Sequence, residues 1–285
     1  MNPDLAATLL ILSSALMHAI SSSLYRIAGD RMVRMIVGCI LGLSIMLPIA
    51  FFVPLPTAEA WQLIIPSSII IIFYQFMVIK ALEHGELSYT YPVSRGSAPV
   101  FVVLLTLLFF SHELVWVEIL GVAMVAGGIM ELALRSFKIG SVQGNLKKAT
   151  IFSFISGLTT AIYTLIDAQG VRLVENPFSY IAWLFIIINT GLILIIGLKR
   201  GRSFFKSVYT ERRHGTYAGL FGIASYVTAL LALRLGNTVE IAALRETSIM
   251  FAILIGYFFL GEGIGIRRWI AVALISLGAI TIKSF

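Results

Sequence analysis

Arg95 and Arg245 stand inside two apolar stretches of a 285-residue chain, 245 − 95 = 150 positions apart. A guanidinium at the centre of a membrane helix costs about 2.5–3.5 kcal/mol on insertion scales, so it is kept only where it binds or pairs. Its planar fork suits a carboxylate or a phosphate, gripped through two parallel hydrogen bonds. Arg245 is followed directly by Glu246. Neighbours on a helix point about 100° apart, so these two side chains address different surroundings. Glu246 is then either a structural partner for an arginine or a group that carries a proton. Asp167 poses the same choice late in another apolar run: a titrating carboxylate, or an aspartate bonded to backbone at a helix end. Burial penalises its charge and a nearby cation would favour it, so it could change state during a working cycle.

Around these charges lie residues suited to lining a cavity. In LSYTYPVSRGSAPVF (87–101), Tyr91, Pro92, Arg95, Gly96 and Pro99 fall within a few turns. Each proline removes an N–H and crowds the preceding turn, which predicts a kinked helix with Arg95 facing a cavity. The alternative is an arginine that locks two helices by pairing with a carboxylate. Tyr163 precedes Asp167 by four residues and shares its helical face. Tyr74, Gln75 and Tyr226 are further candidate cavity walls. His18 sits one turn from Ser14, Ser21 and Ser22, where hydrogen bonding to those hydroxyls competes with a proton-relay role.

Other chemistries are excluded or unsupported. No GxxxxGK[ST] appears, so the chain does not hydrolyse ATP through a P-loop. GEGIG (261–265) follows an apolar span rather than a strand and is not read as a phosphate loop. His84 and His112 adjoin Glu83 and Glu113 without metal-binding spacing, and the single Cys39 excludes an internal disulfide. Neither a metal nor a cofactor is expected. An intramembrane enzyme would need clustered carboxylates or a nucleophile–base pair, which the spans lack.

The elements that must hold these residues follow from hydropathy. The chain is 59% hydrophobic and 12% charged, far too apolar for the surface of a soluble domain. Spans need about 20 apolar residues. Ten candidates appear: 5–26, 33–53, 62–82, 87–110, 114–134, 149–170, 178–198, 216–235, 238–260 and 267–283. No basic region precedes the first run, which is expected to be kept as a helix. The longest expected connection is 199–214. Trp61, Trp116 and Trp269 fall near span ends, where indoles sit at the headgroup level or simply pack. The net charge of +7 resides in loops, which speaks for a membrane and against nucleic acid. Apart from Arg95 and Arg245, Arg172, Arg234 and Lys283 fall towards one side and the other sixteen Lys/Arg towards the opposite side. The positive-inside rule then places both termini away from the cytoplasm of a multi-pass protein, expected in a bacterial inner membrane.

The halves also echo one another. ALEHGELSYTYPVSRGSAPVFVVLLTLLFFSHE (81–113) aligns with ALRLGNTVEIAALRETSIMFAILIGYFFLGE (232–262) through Ala-Leu, Gly85/Gly236, Arg95/Arg245 and Glu113/Glu262. Five spans per half is odd, so the second copy enters from the opposite face. The expectation is an all-α integral membrane protein of two inverted five-helix repeats, residues 1–140 and 141–285. Gly38-x-x-x-Gly42 and Gly215-x-x-x-Gly219 permit close helix packing within a chain or between two, compatible with a monomer or a homodimer.

HAISSSLYRIAGDR (18–31), YPVSRGSAP (91–99), AIYTLIDAQGVR (161–172) and ALRETSIMFAILIGYFFLGE (243–262) carry a resemblance to a known family. Over essentially its whole length the chain resembles the ten-helix, EamA-type transporters of the drug/metabolite transporter superfamily. Gly261-Glu262 closes a span as is typical there, whereas the first half has His112-Glu113. Ser21 and Ser22 stand where relatives of the HAxWN type carry Trp and Asn. The resemblance implies transport of amino acids or related metabolites.

Together with the arginines, this points to a secondary transporter, an exporter of a small zwitterionic or anionic metabolite working by alternating access at the membrane midplane. Arg95 and Arg245 would hold the anionic group, while Asp167 and Glu246 are the proton-coupling candidates. The alternatives are an organophosphate or phosphonate transporter, or a non-transporting subunit or lipid flippase component.

Overall fold

A computed structural model describes residues 2–26, 30–85, 87–109, 115–138, 145–200, 203–260 and 266–283. These residues form eleven helices and no strand: α1 (Pro3–Arg26), α2 (Arg31–Phe52), α3 (Ala58–His84), α4 (Leu87–Phe109), α5 (Trp116–Lys138), α6 (Leu146–Leu173), α7 (Pro177–Arg200), α8 (Ser203–Leu235), α9 (Thr238–Arg245), α10 (Thr247–Leu260) and α11 (Ile266–Lys283). Among the described residues, eight stretches are long and apolar enough to cross a membrane, one of them running through α9 and α10. With α9 and α10 counted as one span, the helices match the ten expected. His112-Glu113, Gly261-Glu262 and the GEGIG run lie outside the described residues.

Polarity is arranged inside out. Phe52, Trp116 and Phe109 are 89%, 82% and 76% exposed, while Ser14, Ser67 and Asp167 are fully buried. Water would penalise that surface, whereas a hydrocarbon solvent favours it and drives polar groups inward to find partners.

The helices gather into two compact units, each drawing on both halves of the sequence. The first comprises Met1–Ile72 and Ile166–Gly236. In it Ser14 and Ser21 of α1 donate to the Ser225 and Ala218 carbonyls of α8, at 2.6 and 2.7 Å. A Cβ on Gly219 would sit 2.5 Å from the Gly38 Cα, so the small-residue motifs of α2 and α8 pack against each other within one chain. Near the start of α2, fully buried Arg34 pairs with Glu211 of α8, Nε to Oε2 at 2.6 Å. The second unit comprises Phe73–Leu165 and Asn237–Phe285. Its core joins Val102 of α4, Val125 and Ile129 of α5, Val239 of α9 and Ile275 of α11.

Two expectations are corrected. Within the segment 199–214 the described residues are helical rather than loop: α7 runs to Arg200 and α8 begins at Ser203. Glu211 explains the helical extension, because it holds both Arg34 and the Asp30 backbone N–H, the latter at 3.1 Å. The ninth span is interrupted rather than continuous. Hydrogen bonds from Glu246 N to Ala243 O and from Ile249 N to Glu246 O tighten the chain to an i+3 pattern at the Arg-Glu-Thr-Ser run. α4, by contrast, remains one helix through Pro92 and Pro99.

Candidate functional site

Within the second unit, α4 presents Tyr91, Ser94 and Arg95 on one face, as i, i+3 and i+4 spacing requires. Arg95 is buried, and its guanidinium lies 5.5 Å from the centre of the Tyr91 ring, where the ring's negative face attracts a cation. Its Nη1 donates to Glu246 Oε1 at 3.2 Å, with both side chains shielded from solvent. Glu246 occupies the break between α9 and α10, and its second oxygen, Oε2, is buried with no hydrogen-bond partner. Arg245, the preceding residue, interacts electrostatically with the same carboxylate. Two fixed cations thus meet one carboxylate.

A pocket of about 50 Å³ adjoins Arg95. Tyr74, Tyr91, Thr90, Ser94 and Ser156 line its polar side, while Val78, Ala81 and Leu82 of α3 give it an apolar wall. Tyr74 meets Tyr163 of α6 edge-to-face at 5.8 Å. The Ser94–Ser156 contact at 2.8 Å and the Tyr89–Thr150 contact at 2.7 Å fasten α4 to α6. Gly157 permits that approach, since a Cβ there would stand 2.1 Å from Ser97 Oγ.

The first unit contains a different arrangement. Asp167 is fully buried and accepts hydrogen bonds from Ser67 at 2.5 Å, from Tyr180 at 2.9 Å and from Tyr226. The donors come from α3, α7 and α8.

Comparison with known proteins decides the class. The model of the EamA-like transporter family matches residues 5–134 and again 147–284. This chain belongs to that family. It is also 35% identical over 68 residues to an uncharacterised transporter from the cobO 3′ region of a Sinorhizobium species. That match spans 24% of this chain and 48% of the relative, so the chain covers about half the length of the curated protein it matches. A solved crystal structure is similar over 98% of both chains, with a TM-score of 0.75 and 17% identity, which shows the fold. The family is one of transporters and not of enzymes.

In this member of the EamA-like transporter family, the residues singled out by sequence divide between the two units. Arg95, Tyr91 and Tyr74 share the cavity of the second unit, with Tyr163, Arg245 and Glu246 interacting around Arg95 and its partner carboxylate. Gln75 adjoins Tyr74 in α3 but is not among the residues lining that cavity. Tyr226 belongs to the Asp167 cluster of the first unit. His18 lies in that unit too, on α1, between serines whose hydroxyls donate to α8 carbonyls. Sequence reasoning missed Ser67, Tyr180, Thr90, Ser94 and Ser156. The signal available was faint: polar residues within apolar runs, such as the Ser67-Ser68 pair midway along α3.

Proposed function

We propose that this EamA-like protein is a secondary transporter of a bacterial cytoplasmic membrane that exports a small zwitterionic or anionic metabolite, an amino acid or a close derivative. The observation that carries this reading is the buried Arg95 guanidinium on the wall of a cavity that also has hydroxyl and apolar faces. A carboxylate entering the cavity would take hydrogen bonds from Arg95. The Val78, Ala81 and Leu82 wall would receive an uncharged side chain, and the hydroxyls would satisfy remaining polar atoms. Glu246 Oε2, buried with no hydrogen-bond partner, is an acceptor suited to an ammonium group. Two guanidiniums against one carboxylate leave a positive balance that favours an anionic end on the substrate.

Alternating access would expose the cavity to each side in turn, and the break at Glu246 is where the ninth span can flex. The charge bias of the loops orients the protein with both ends of the helical region away from the cytoplasm. Counterflow of radiolabelled L-amino acids into proteoliposomes tests the reading. Uptake driven by internal unlabelled amino acid supports it. Inert vesicles containing folded protein would discard amino acids as the substrate class.

A further inference from the structure

We propose that the first turns of α8 bind an anionic phospholipid, with Arg212 and Arg213 on the headgroup phosphate and Tyr217 and Leu220 along the start of an acyl chain. α8 is longer than a bilayer requires. Its apolar stretch, Val208–Leu235, has 28 residues, or about 42 Å at 1.5 Å per residue. The hydrocarbon core is about 30 Å thick, which about 20 residues cross. Arg234, in the last turn, holds the far end at one interface, because a guanidinium near a helix end seeks the headgroups. The surplus of about two turns therefore falls at the beginning of the stretch, at the level of the opposite headgroups.

The two faces of these turns differ sharply. Glu211, Gly215, Ala218 and Gly222 follow the spacing of one helical face. That face packs inward: a Cβ on Gly215 would stand 2.6 Å from Val37 of α2, and the Ala218 carbonyl accepts from Ser21 of α1. Glu211 is the one acid between residues 199 and 214, against Lys199, Arg200, Arg202, Lys206, Arg212 and Arg213. It is turned to α2, where it holds Arg34 and the Asp30 N–H. The negative charge is thus spent inside the first unit. Tyr209, Arg213, Tyr217 and Leu220 recur at the spacing of the other face, and all four are exposed, as is Arg212. Read along the helix, that face passes from cations through a tyrosine to a leucine. A phospholipid has the same order, with phosphate outermost and hydrocarbon below.

Arg212 is already arranged for a phosphate. Its guanidinium carbon lies 3.7 Å from the centre of the Tyr209 ring. Stacking occupies the flat faces of the guanidinium and leaves its in-plane N–H fork to grip an oxyanion through two hydrogen bonds. Holding the fork in place beforehand also lowers the entropy lost on binding. Arg213 follows on the exposed side, so the two arginines reach one headgroup from different directions. A soluble phosphate would use only these cations. A lipid also covers Tyr217 and Leu220, which continue the face into the apolar stretch. Because Glu211 in the same turn clamps Arg34, a bound headgroup steadies the junction of α8 with α2 as well.

Thermal unfolding of the whole chain in a neutral detergent tests the site, with phosphatidylglycerol and phosphatidylcholine titrated separately. Phosphatidylglycerol should raise the melting temperature along a saturable curve, and phosphatidylcholine should raise it far less. In Arg212→Gln/Arg213→Gln the apparent Kd for phosphatidylglycerol should rise about thirtyfold, about fivefold for each arginine near an anionic surface. Tyr209→Leu removes the stacking alone and should weaken binding about two- to fivefold. These side chains are exposed, and each variant is read against its own melting temperature without lipid. Lys147→Gln/Lys148→Gln removes two exposed bases from α6 and should bind phosphatidylglycerol as the wild type does. Equal weakening by the two double variants, or equal stabilisation by the two lipids, overturns the site. Glycerol 3-phosphate offers the headgroup chemistry without chains. If it stabilises the protein as well as phosphatidylglycerol at the same concentration, the lipid assignment fails.

Discussion

Arg172 and Arg234 cap each other's helices. Arg172, in the last turn of α6, donates to the carbonyl of Gly236 just past the end of α8, at 2.6 Å. Arg234, in the last turn of α8, donates back to Val171, Val174 and Glu175 around the end of α6, at 2.8–3.1 Å. The last carbonyls of a helix lack intrahelical partners and carry its negative end, so a cation there satisfies both needs. Arg234→Ala should lower stability by about 1.5–3 kcal/mol, since charged hydrogen bonds of this kind are lost together. Arg172→Ala should cost less, with one such bond removed. Thermal unfolding in detergent reads both. Unchanged melting temperatures would mean that water replaces the guanidiniums at no cost.

Arg95 should separate binding from architecture. Lysine keeps the charge but loses the planar fork, so Arg95→Lys should weaken substrate affinity about ten- to a hundred-fold, in line with 1.5–3 kcal/mol for a charged hydrogen bond. Arg95→Ala should nearly abolish transport. Because Arg95→Ala also strands the Glu246 carboxylate, folded protein must be measured alongside. Transport lost only in proportion to folded protein would make Arg95 a helix lock.

Gly170 should prove indispensable to the Asp167 cluster. A Cβ at that position would lie 2.0 Å from Tyr180 Cε2, so Gly170→Ala must displace the ring that bonds Asp167. Overpacking of this kind costs about 1–3 kcal/mol. Tyr180→Ala should relieve most of that strain, giving strong coupling in a double-mutant cycle. Simple additivity of the two losses would show that α7 shifts as a body and keeps the contact.

Orientation can be read with single cysteines in a Cys39→Ala background. Tyr209, near the start of α8, is 67% exposed, and Leu55, between α2 and α3, is 72% exposed. Tyr209→Cys should react with a membrane-impermeant maleimide only after the cytoplasmic face is opened. Leu55→Cys should react in intact spheroplasts. The reverse pattern would invert the topology drawn from the loop charges.

Hydropathy located the spans because crossing a bilayer is a one-dimensional demand on length and polarity, visible in any window of sequence. The cost of placing arginine in hydrocarbon likewise singled out Arg95 and Arg245 before any contact was known. The basic run after α7 misled, since lysines and arginines suit a helix leaving the membrane as well as a loop. What holds that helix is Glu211, and its partner Arg34 lies 177 positions away. The same separation hid the sites. Glu246 is 151 positions from Arg95, and Ser67 is 100 from Asp167. Local spacing reports which residues share a helical face, but which faces meet is set by packing, and at Gly38 and Gly219 by how closely two backbones approach. Sequence alone therefore determined that buried charges needed partners. Tertiary structure decided that Arg95 would receive a carboxylate and Asp167 three hydroxyls.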